Sequence, residues 1–304
     1  MKYLITTISM VLLSGVSASA LEPNPLQQNF NATPLTAVHS FTEGIEGPAV
    51  DAEGNIYAAN FARSHTIGKI SPNGAGQVFA SLPDKSIASG IRFNQHGVMF
   101  IADYVQHTIY QIDLATRHLS VLAREKNMNQ PNDLAITAAG ILYASDPNWK
   151  TGSGQIWRID TAGKVTLVAD HMGTTNGIDI SPDGKTLYVN ESVQRTVWAF
   201  TIAADGSLNQ KRLIKQFDDF GLDGMRVDVD DNLYVTRYGK GTVVKMTPAG
   251  EILQEIAVLG ALPSNICFGG ADGRTAYVTE VEQKRIVQFR IDRPGLEWVR
   301  RQPQ

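Results

Sequence analysis

The sequence predicts an all-β protein, a six-bladed β-propeller of four-stranded blades. An aromatic residue recurs at a constant place in a turn-then-strand pattern, with steps of 43, 43, 45, 46 and 43 residues. A period near 44 indicates an internal repeat, each copy being one supersecondary unit. The six aromatic residues are Tyr57, Phe100, Tyr143, Tyr188, Tyr234 and Tyr277.

Each repeat contains four short β-like runs separated by turn residues, and no run has the pattern of an amphipathic helix. The third repeat shows them as "NDLAIT", "ILYASD", "QIWRID" and "VTLVAD". Four strands in each of six units describe a propeller. A TIM barrel is the rival at this length, but it needs a helix after every strand and is excluded by their absence.

The two ends of the chain predict how the ring closes. The sixth repeat ends after "RIVQFRI" without a fourth strand, and "LTAVHSF" stands unpaired before the first repeat. We therefore expect residues near Thr36 to Phe41 to complete the sixth blade beside Arg285 to Ile291. The predicted propeller spans residues 36–300, and residues 21–35, rich in Pro, Asn and Gln, form a mobile arm.

The first twenty residues, "MKYLITTISMVLLSGVSASA", have the basic start, apolar stretch and small-x-small end of a secretory signal peptide. We expect cleavage after Ala20 and a periplasmic or secreted protein. The apolar stretch is too short for a membrane anchor. Cys267 is the only cysteine, so no disulfide can form within the chain, and it is expected to be a small buried side chain.

Charge restricts the class of partner. The formal net charge is −3, and the sequence has no long acidic or basic run. This argues against nucleic acid and against an anionic membrane surface. A small-molecule substrate is the expected partner, and no protein partner is inferred.

A polar residue with a side-chain oxygen stands at the start of the first strand of every repeat. First strands line the central channel of a propeller, so equal phase predicts equal height and a ring of side chains at one mouth. The alternative is a set of ordinary turn formers, but Glu46 is a poor one. Ser89 and Asn265 could be bystanders. The ring residues are Glu46, Ser89, Asn132, Asn176, Asp223 and Asn265.

Carboxylate and amide oxygens without His or Cys at the same phase are hard ligands for a divalent cation. Glu46 and Asp223 supply two negative charges, and the Asn oxygens complete the shell without added repulsion. The loose, amide-rich set favours Ca²⁺ over the small octahedral Mg²⁺, with Zn²⁺ as a further alternative.

A second polar tier lies three residues beyond each aromatic of the repeat. Asp146 and Arg237 belong to it and are candidates for substrate binding, although hydrogen bonding to neighbouring loops would also explain such residues. Trp149 and Tyr238 follow them and are expected to wall the pocket, as are Phe61 and Tyr104, unless they pack blade against blade. The full tier is Asn60, Asp103, Asp146, Glu191, Arg237 and Glu280.

His65 and His107 occupy matching places in "SHTIGKI" and "QHTIYQI". Duplication of the repeat explains the match, and a pair of catalytic bases is the alternative.

Five motifs resemble the gluconolactonase and regucalcin (senescence marker protein) family of six-bladed propellers. They are "EGPAVD" at Glu46, "PNDL" at Asn132, "TNGIDISPDGKTLY" at Asn176, "GLDGMRVD" at Asp223 and "NICFGGADGRTAYVT" at Asn265. The resemblance implies a divalent cation held by Glu46, Asn176 and Asp223, with Asn132 beside it contacting metal or substrate. It also implies lactone hydrolysis.

One position departs from that family. Members similar to regucalcin often carry an Arg two residues before the Asn of "PND", where this chain has Gln130. That Arg would hold substrate hydroxyls, so its absence puts an aldonolactone substrate in doubt and makes Gln130 a candidate for substrate binding.

The expected chemistry follows from the ligand set. A cation acting as a Lewis acid stabilises the charge that develops on a lactone carbonyl when water attacks. Asp223 is the candidate base as well as a ligand, and a hydroxide on the cation is the alternative. Rival functions are a non-enzymatic binding propeller and a phosphotriesterase or aryl esterase that uses the same cation.

Overall fold

The computed structural model describes residues 29–83 and 85–302. The predicted signal peptide and the first part of the predicted arm lie outside these residues. The described chain forms six four-stranded antiparallel sheets arranged as blades in a ring, which confirms the six-bladed propeller. Among the described residues, no helix is long and apolar enough to span a bilayer.

The first strand of each blade is innermost, and the chain moves outward within the blade. Blade one comprises β2 (Ala49–Val50), β3 (Ile56–Ala59), β4 (Thr66–Ile70) and β5 (Gly76–Ser81). Blade two comprises β6 (Ala88–Phe93), β7 (Val98–Asp103), β8 (Thr108–Asp113) and β9 (Leu119–Arg124). Blade three comprises β10 (Leu134–Ile136), β11 (Leu142–Asn148), β12 (Ser153–Ile159) and β13 (Val165–Met172).

The same order continues around the ring. Blade four comprises β14 (Thr175–Ile180), β15 (Thr186–Glu191), β16 (Thr196–Ile202) and β17 (Leu208–Gln216). Blade five comprises β18 (Met225–Val227), β19 (Leu233–Arg237), β20 (Thr242–Met246) and β21 (Ile252–Ala257). Blade six comprises β22 (Pro263–Gly269), β23 (Thr275–Glu280), β24 (Arg285–Arg290) and the N-terminal strand β1 (Thr33–Pro34).

The repeated aromatic residue joins each blade to the next, which explains the period. All six are buried. Tyr57 packs edge-on against Phe93 of blade two, with ring centroids 5.3 Å apart. The Tyr188 hydroxyl donates to the Asp231 carboxylate of blade five at 2.8 Å. Each aromatic thus fills the wedge between neighbouring sheets, where large flat side chains bury the most area.

The ring closes through an N-terminal strand, as predicted, but the strand lies earlier in the chain. Thr33 and Pro34 pair with Gln288 and Val287 of β24. The predicted closing residues, Thr36 to Phe41, form no continuous strand because the chain turns at His39, whose φ is 61°. A left-handed residue interrupts strand geometry.

Residues 29–35, which were assigned to the arm, contact the propeller. The Phe30 amide donates to the Arg290 carbonyl at 2.8 Å, and Phe30 and Ala32 pack on the apolar core of blade six. The described part of the arm therefore extends the closure of the ring.

A short helix, α1 (Leu296–Arg301), follows blade six and was not predicted. It lies across the far ends of the inner strands. The Arg300 guanidinium donates to the carbonyl of Ser181, just beyond β14, and Leu296 packs into the core of blade five. Six residues are too few to show a helical period in a sequence dominated by strands.

Candidate functional site

A cavity of about 690 Å³ opens at the mouth where the inner strands begin. Five of the six predicted ring residues line it, while Asn265 lies behind Glu46. The lining ring residues are Glu46, Ser89, Asn132, Asn176 and Asp223. Equal phase in the repeat therefore does correspond to one end of the channel.

Glycine follows four ring residues because neighbouring inner strands touch there. The Gly177 amide donates to the Asp223 carbonyl at 3.1 Å, and the Gly90 amide donates to the Asn132 carbonyl at 2.6 Å. A Cβ at Gly177 would overlap that Asp223 carbonyl oxygen. The Asn-Gly pair at Asn176 thus places a polar side chain at the axis and permits close approach of the next blade.

Glu46 is held by two donors behind the cavity. Its Oε2 atom accepts a hydrogen bond from the Gly47 amide at 2.7 Å and from Asn265 Nδ2 at 3.0 Å. Burial, and then the negative charge of Asp133, raise the pKa of Glu46 to about 7. The two hydrogen bonds oppose this rise because they favour the ionised form.

The pKa of Asp223 is also raised, and by more than that of Glu46. Burial and then the charge of Glu46 raise the pKa of Asp223 well above its ordinary value, while a hydrogen bond from Asn176 lowers it. No Lys, Arg or His side chain of the described residues lines the cavity. Two carboxylates without a basic partner form a site that an added positive charge would stabilise.

Two buried amide oxygens also lack a partner that a bound cation would provide. Asn176 Nδ2 donates to Ser192 Oγ at 3.0 Å, which directs Oδ1 the other way. The buried Oδ1 atoms of Asn132 and Asn176 have no hydrogen-bond partner in the protein. Buried acceptors normally have a partner. A cation between these oxygens would supply one.

The donor set fits a hard divalent cation. Its members are carboxylate and amide oxygens, which suit Ca²⁺ or Mg²⁺, and it lacks the His and Cys ligands typical of Zn²⁺ sites. In the described ranges no three His, Cys, Asp or Glu side chains gather as a metal cluster, so the set depends on its amides. Glu46, Asn132, Asn176 and Asp223 are the side chains that would hold the ion.

Aromatic side chains stand beside the two carboxylates. Tyr104, Trp149 and Tyr238 line the cavity. Burial first, and then the charges of Asp223 and Glu46, raise the pKa values of both tyrosines. A ligand in the cavity would therefore contact these rings and the carboxylates together. Phe61 lies elsewhere and packs on the Phe41 ring at 5.1 Å.

Three substrate-binding candidates do not line the cavity. Asp146 is fully buried, and its oxygens accept hydrogen bonds from the Gln130 amide at 2.6 Å and from Trp157 Nε1 at 2.9 Å. Arg237 donates to the Asp219 carbonyl and to the Asp219 carboxylate, both at 2.6 Å. Both residues fix loops. The Gln130 side chain interacts with the Tyr104 hydroxyl, which opposes the rise that burial causes in the pKa of Tyr104, and Gln130 itself is not part of the cavity lining.

Loop anchoring is also the role of other members of the second tier. Glu191 accepts hydrogen bonds from the Gly173 amide at 2.7 Å and from Thr196 Oγ1 at 2.7 Å. Glu280 accepts one from the Gln283 amide at 2.8 Å. The polar side chain at this phase satisfies backbone donors of the loops between strands, so the tier is a feature of the repeat.

His65 and His107 occupy equivalent positions because both stand in a turn with the same backbone conformation. Both have positive φ, 63° and 54°, in the turn before the third strand. Arg195 and Lys284 occupy the equivalent turns of other blades with φ of 59° and 56°. Neither histidine lines the cavity, and His65 Nδ1 bonds to the Ser86 carbonyl at 2.7 Å. The pair is therefore not placed to act as base there.

A buried charged layer beneath the ring was not predicted. Asp133 binds Arg226 at 2.8 Å and Arg92 at 3.2 Å, and both guanidinium side chains are 1% exposed. Asp179 lies nearby and accepts the Val227 amide at 2.9 Å. Charged residues inside the inner-strand runs "SGIRF" and "GMRVD" were the available signal, since buried charges require partners.

The fold and this cavity define the class: a six-bladed propeller with an axial cavity whose floor carries carboxylate and amide side chains. Residues 67–282 match the family described as the SMP-30/Gluconolactonase/LRE-like region. The chain belongs to this family, as the sequence motifs predicted.

Individual relatives agree with this assignment. The chain is 25% identical to a gluconolactonase of Zymomonas mobilis over 82% of its own length and 79% of the relative's. It is 30% identical to a pentonolactonase of Haloferax volcanii over about half of each chain, 49% and 52%. The solved structure of a calcium-binding regucalcin from Agrobacterium tumefaciens has the same fold, with a TM-score of 0.76 and 22% identity over 88% of this chain and 96% of that one.

Proposed function

We propose that the protein is a divalent-cation-dependent hydrolase that opens a lactone ring. The observation that carries the proposal is the floor of the axial cavity, where Glu46 and Asp223 line the same space as two amide oxygens without protein partners. The gluconolactonase and pentonolactonase relatives support the reaction class, and the calcium-binding relative supports the ion.

Glu46, Asn176 and Asp223 would hold the cation, with Asn132 beside it. When bound, the cation supplies positive charge that polarises the lactone carbonyl and stabilises the oxyanion. Asn265 positions Glu46 through its 3.0 Å hydrogen bond, so that the ligand carboxylate is fixed before substrate arrives. The oxygen-only donor set favours Ca²⁺.

Asp223 performs the proton transfer. Its carboxylate accepts a proton from the attacking water as the water oxygen bonds to the carbonyl carbon. The ring C–O bond then breaks, and Asp223 returns the proton to the released alkoxide oxygen, which gives a hydroxy acid. Asp223 is the candidate because its carboxylate lines the cavity together with the other residues that would hold the cation. A bound cation would lower the pKa of this carboxyl from the raised value that burial and Glu46 give it in the cation-free protein.

The test is a pH-stat assay of sugar, alkyl and aryl lactones on the protein, with chelator and with added Ca²⁺. We expect acid release above the spontaneous rate only with the cation. Unchanged rates in chelator, or no release on any lactone, would contradict the proposal. Including an aryl ester and a phosphotriester in the same panel separates the rival hydrolase activities.

We further propose that the protein acts outside the cytoplasm, because residues 1–20 have the pattern of a signal peptide. Expression of the full chain followed by N-terminal sequencing of the exported protein is expected to give Leu21 as the first residue. A mature protein that retains Met1 would contradict this.

A further inference from the structure

The walls of the axial cavity differ from its floor. Polar ligand oxygens occupy the floor, whereas six apolar or aromatic side chains form much of the remaining lining. They are Ile45, Ile87, Trp149, Val193, Leu222 and Val281. Trp149 is 38% exposed and Val193 is 62% exposed. Both side chains therefore present apolar area to the cavity that a ligand could remove from water.

Several polar side chains in the same lining already have protein partners. Asn60 donates to the Gly44 carbonyl at 2.8 Å and accepts the His65 amide at 3.1 Å. Ser264 Oγ donates to the Ile45 carbonyl at 2.8 Å. These groups are not free to replace the water that a polyhydroxylated ligand would lose on entry, and such unreplaced hydrogen bonds are costly.

The charges of the lining exclude another group of ligands. Glu43, Glu46 and Asp223 are its ionisable carboxylates. Glu43 pairs with Lys284 at 3.5 Å, and no Lys, Arg or His of the described chain lines the cavity to offset Glu46 and Asp223. A bound divalent cation would balance two of the three. An anionic substituent would find no basic side chain to bind, so the cavity suits an uncharged molecule.

We infer that the substrate is an uncharged lactone carrying an apolar alkyl or aryl substituent, with the ring at the floor and the substituent against the walls. This inference rests on the proposed lactone hydrolysis. The cavity volume of about 690 Å³ lies within the range of pockets that enclose ligands larger than a single small ring. Trp149 and Val193 are then the residues that determine specificity.

The test keeps the ring constant and changes only its substituents. δ-Valerolactone, δ-decalactone with its pentyl chain, and glucono-δ-lactone share a six-membered ring. Each methylene moved fully from water to an apolar wall is worth about a fourfold gain in affinity. We expect kcat/KM to be at least about tenfold higher for δ-decalactone than for either other lactone, mainly through KM. Equal or higher kcat/KM on glucono-δ-lactone would overturn the inference.

A matched pair of variants locates the effect. Val193→Asn places a polar group in the wall, and Val121→Asn makes the same change on the outer strand β9, where Val121 is 49% exposed and outside the cavity. We expect Val193→Asn to raise KM for δ-decalactone about threefold or more, and Val121→Asn to leave it unchanged. Equal KM values in the two variants would overturn the assignment of the wall.

Binding distinguishes failure of this inference from failure of the proposed reaction. If no lactone is hydrolysed, the proposed function is wrong, and calorimetry with δ-valerolactam and its pentyl-substituted analogue still tests the walls. Tighter binding of the pentyl lactam, by about tenfold, supports an apolar ligand. Equal binding of the two lactams overturns it.

Discussion

Two layers of the same channel each contain two carboxylates, and only one layer contains cations of its own. In the lower layer, Arg226 and Arg92 outweigh the effect of burial and hold the pKa of Asp133 below its ordinary value. In the upper layer, burial raises the pKa values of both Glu46 and Asp223, and the charge of Asp133 adds to the rise for Glu46 while the charge of Glu46 adds to the rise for Asp223. The charges of the lower layer are balanced within the protein, and those of the upper layer would be balanced by the cation proposed to bind there.

The difference shows how one repeat supplies both structure and function. Arg92, Asp179 and Arg226 lie three residues after ring members, so both layers come from the same strands. A buried charge is tolerated where its partner is covalently part of the fold. Where no internal partner exists, the unbalanced charge is the ordinary mark of a binding or catalytic site.

The largest effect is expected at the upper layer from Asp223→Asn. The amide keeps one ligand oxygen and removes the base, so we expect hydrolysis to fall by a hundredfold to about ten-thousandfold while the protein still folds. The measurement is turnover at saturating Ca²⁺, with the exposed Asp170→Asn as the control. Recovery of near wild-type turnover with extra metal would show that Asp223 is only a ligand.

In the lower layer, Asp133→Asn should lower the free energy of unfolding, in addition to any effect on the rate of hydrolysis. It removes the carboxylate that binds both buried guanidinium groups, and breaking such a pair costs about 3 to 5 kcal/mol. Urea unfolding measures the free energy of unfolding with and without Ca²⁺. A variant as stable as the wild type would mean that the two layers do not differ as described.

The dependence of stability on pH should differ in sign between Glu46, whose pKa is raised by burial, and Asp133, whose pKa is held low by Arg226 and Arg92. The folded pKa of Glu46 is about 7, above the ordinary 4.5, so the folded state retains a proton that the unfolded state has lost. Without a cation, this group's contribution therefore falls as pH rises from about 4.5 to about 7. Thermal melting in chelator should show the fall, and saturating Ca²⁺ should reduce it.

Glu46→Gln is the control for this titration because the amide cannot ionise. We expect its melting temperature in chelator to lose the part of the decrease that Glu46 causes and to keep the part that comes from Asp223, whose pKa is also raised by burial. A decrease as steep as that of the wild type would assign the effect to other groups.

A smaller effect, on the affinity for the cation, is expected when Glu46 loses its hydrogen bond from Asn265. Asn265→Ala removes the 3.0 Å hydrogen bond to Glu46 Oε2, and loss of such a supporting bond typically weakens metal binding by about 10-fold to 100-fold. Calorimetry of Ca²⁺ binding measures it, with Ser89→Ala as the comparison within the ring. Unchanged affinity in Asn265→Ala would show that Glu46 is positioned without it.

Sequence reasoning succeeded where a position repeats in every blade. The aromatic wedge and the ring at the start of each inner strand are set by local phase, so counting residues located them. It was less successful for single positions. Asp146 and Arg237 share the phase of the second tier, yet the structure turns them to loop donors and to Asp219. The period of the repeat gives the position of a residue along its strand. It does not give the hydrogen-bond partner of the side chain.

The sequence by itself determined the number of blades, the closure of the ring by the N-terminal chain and the polar side chains at the start of the inner strands, because each depends on spacing along a repeated unit. Only the tertiary structure decided that Arg92 and Arg226 neutralise Asp133, that Asn265 supports Glu46, and that apolar walls surround the charged floor. These contacts join residues from different blades, and the energy of a buried charge depends on which neighbours folding brings within a few ångströms.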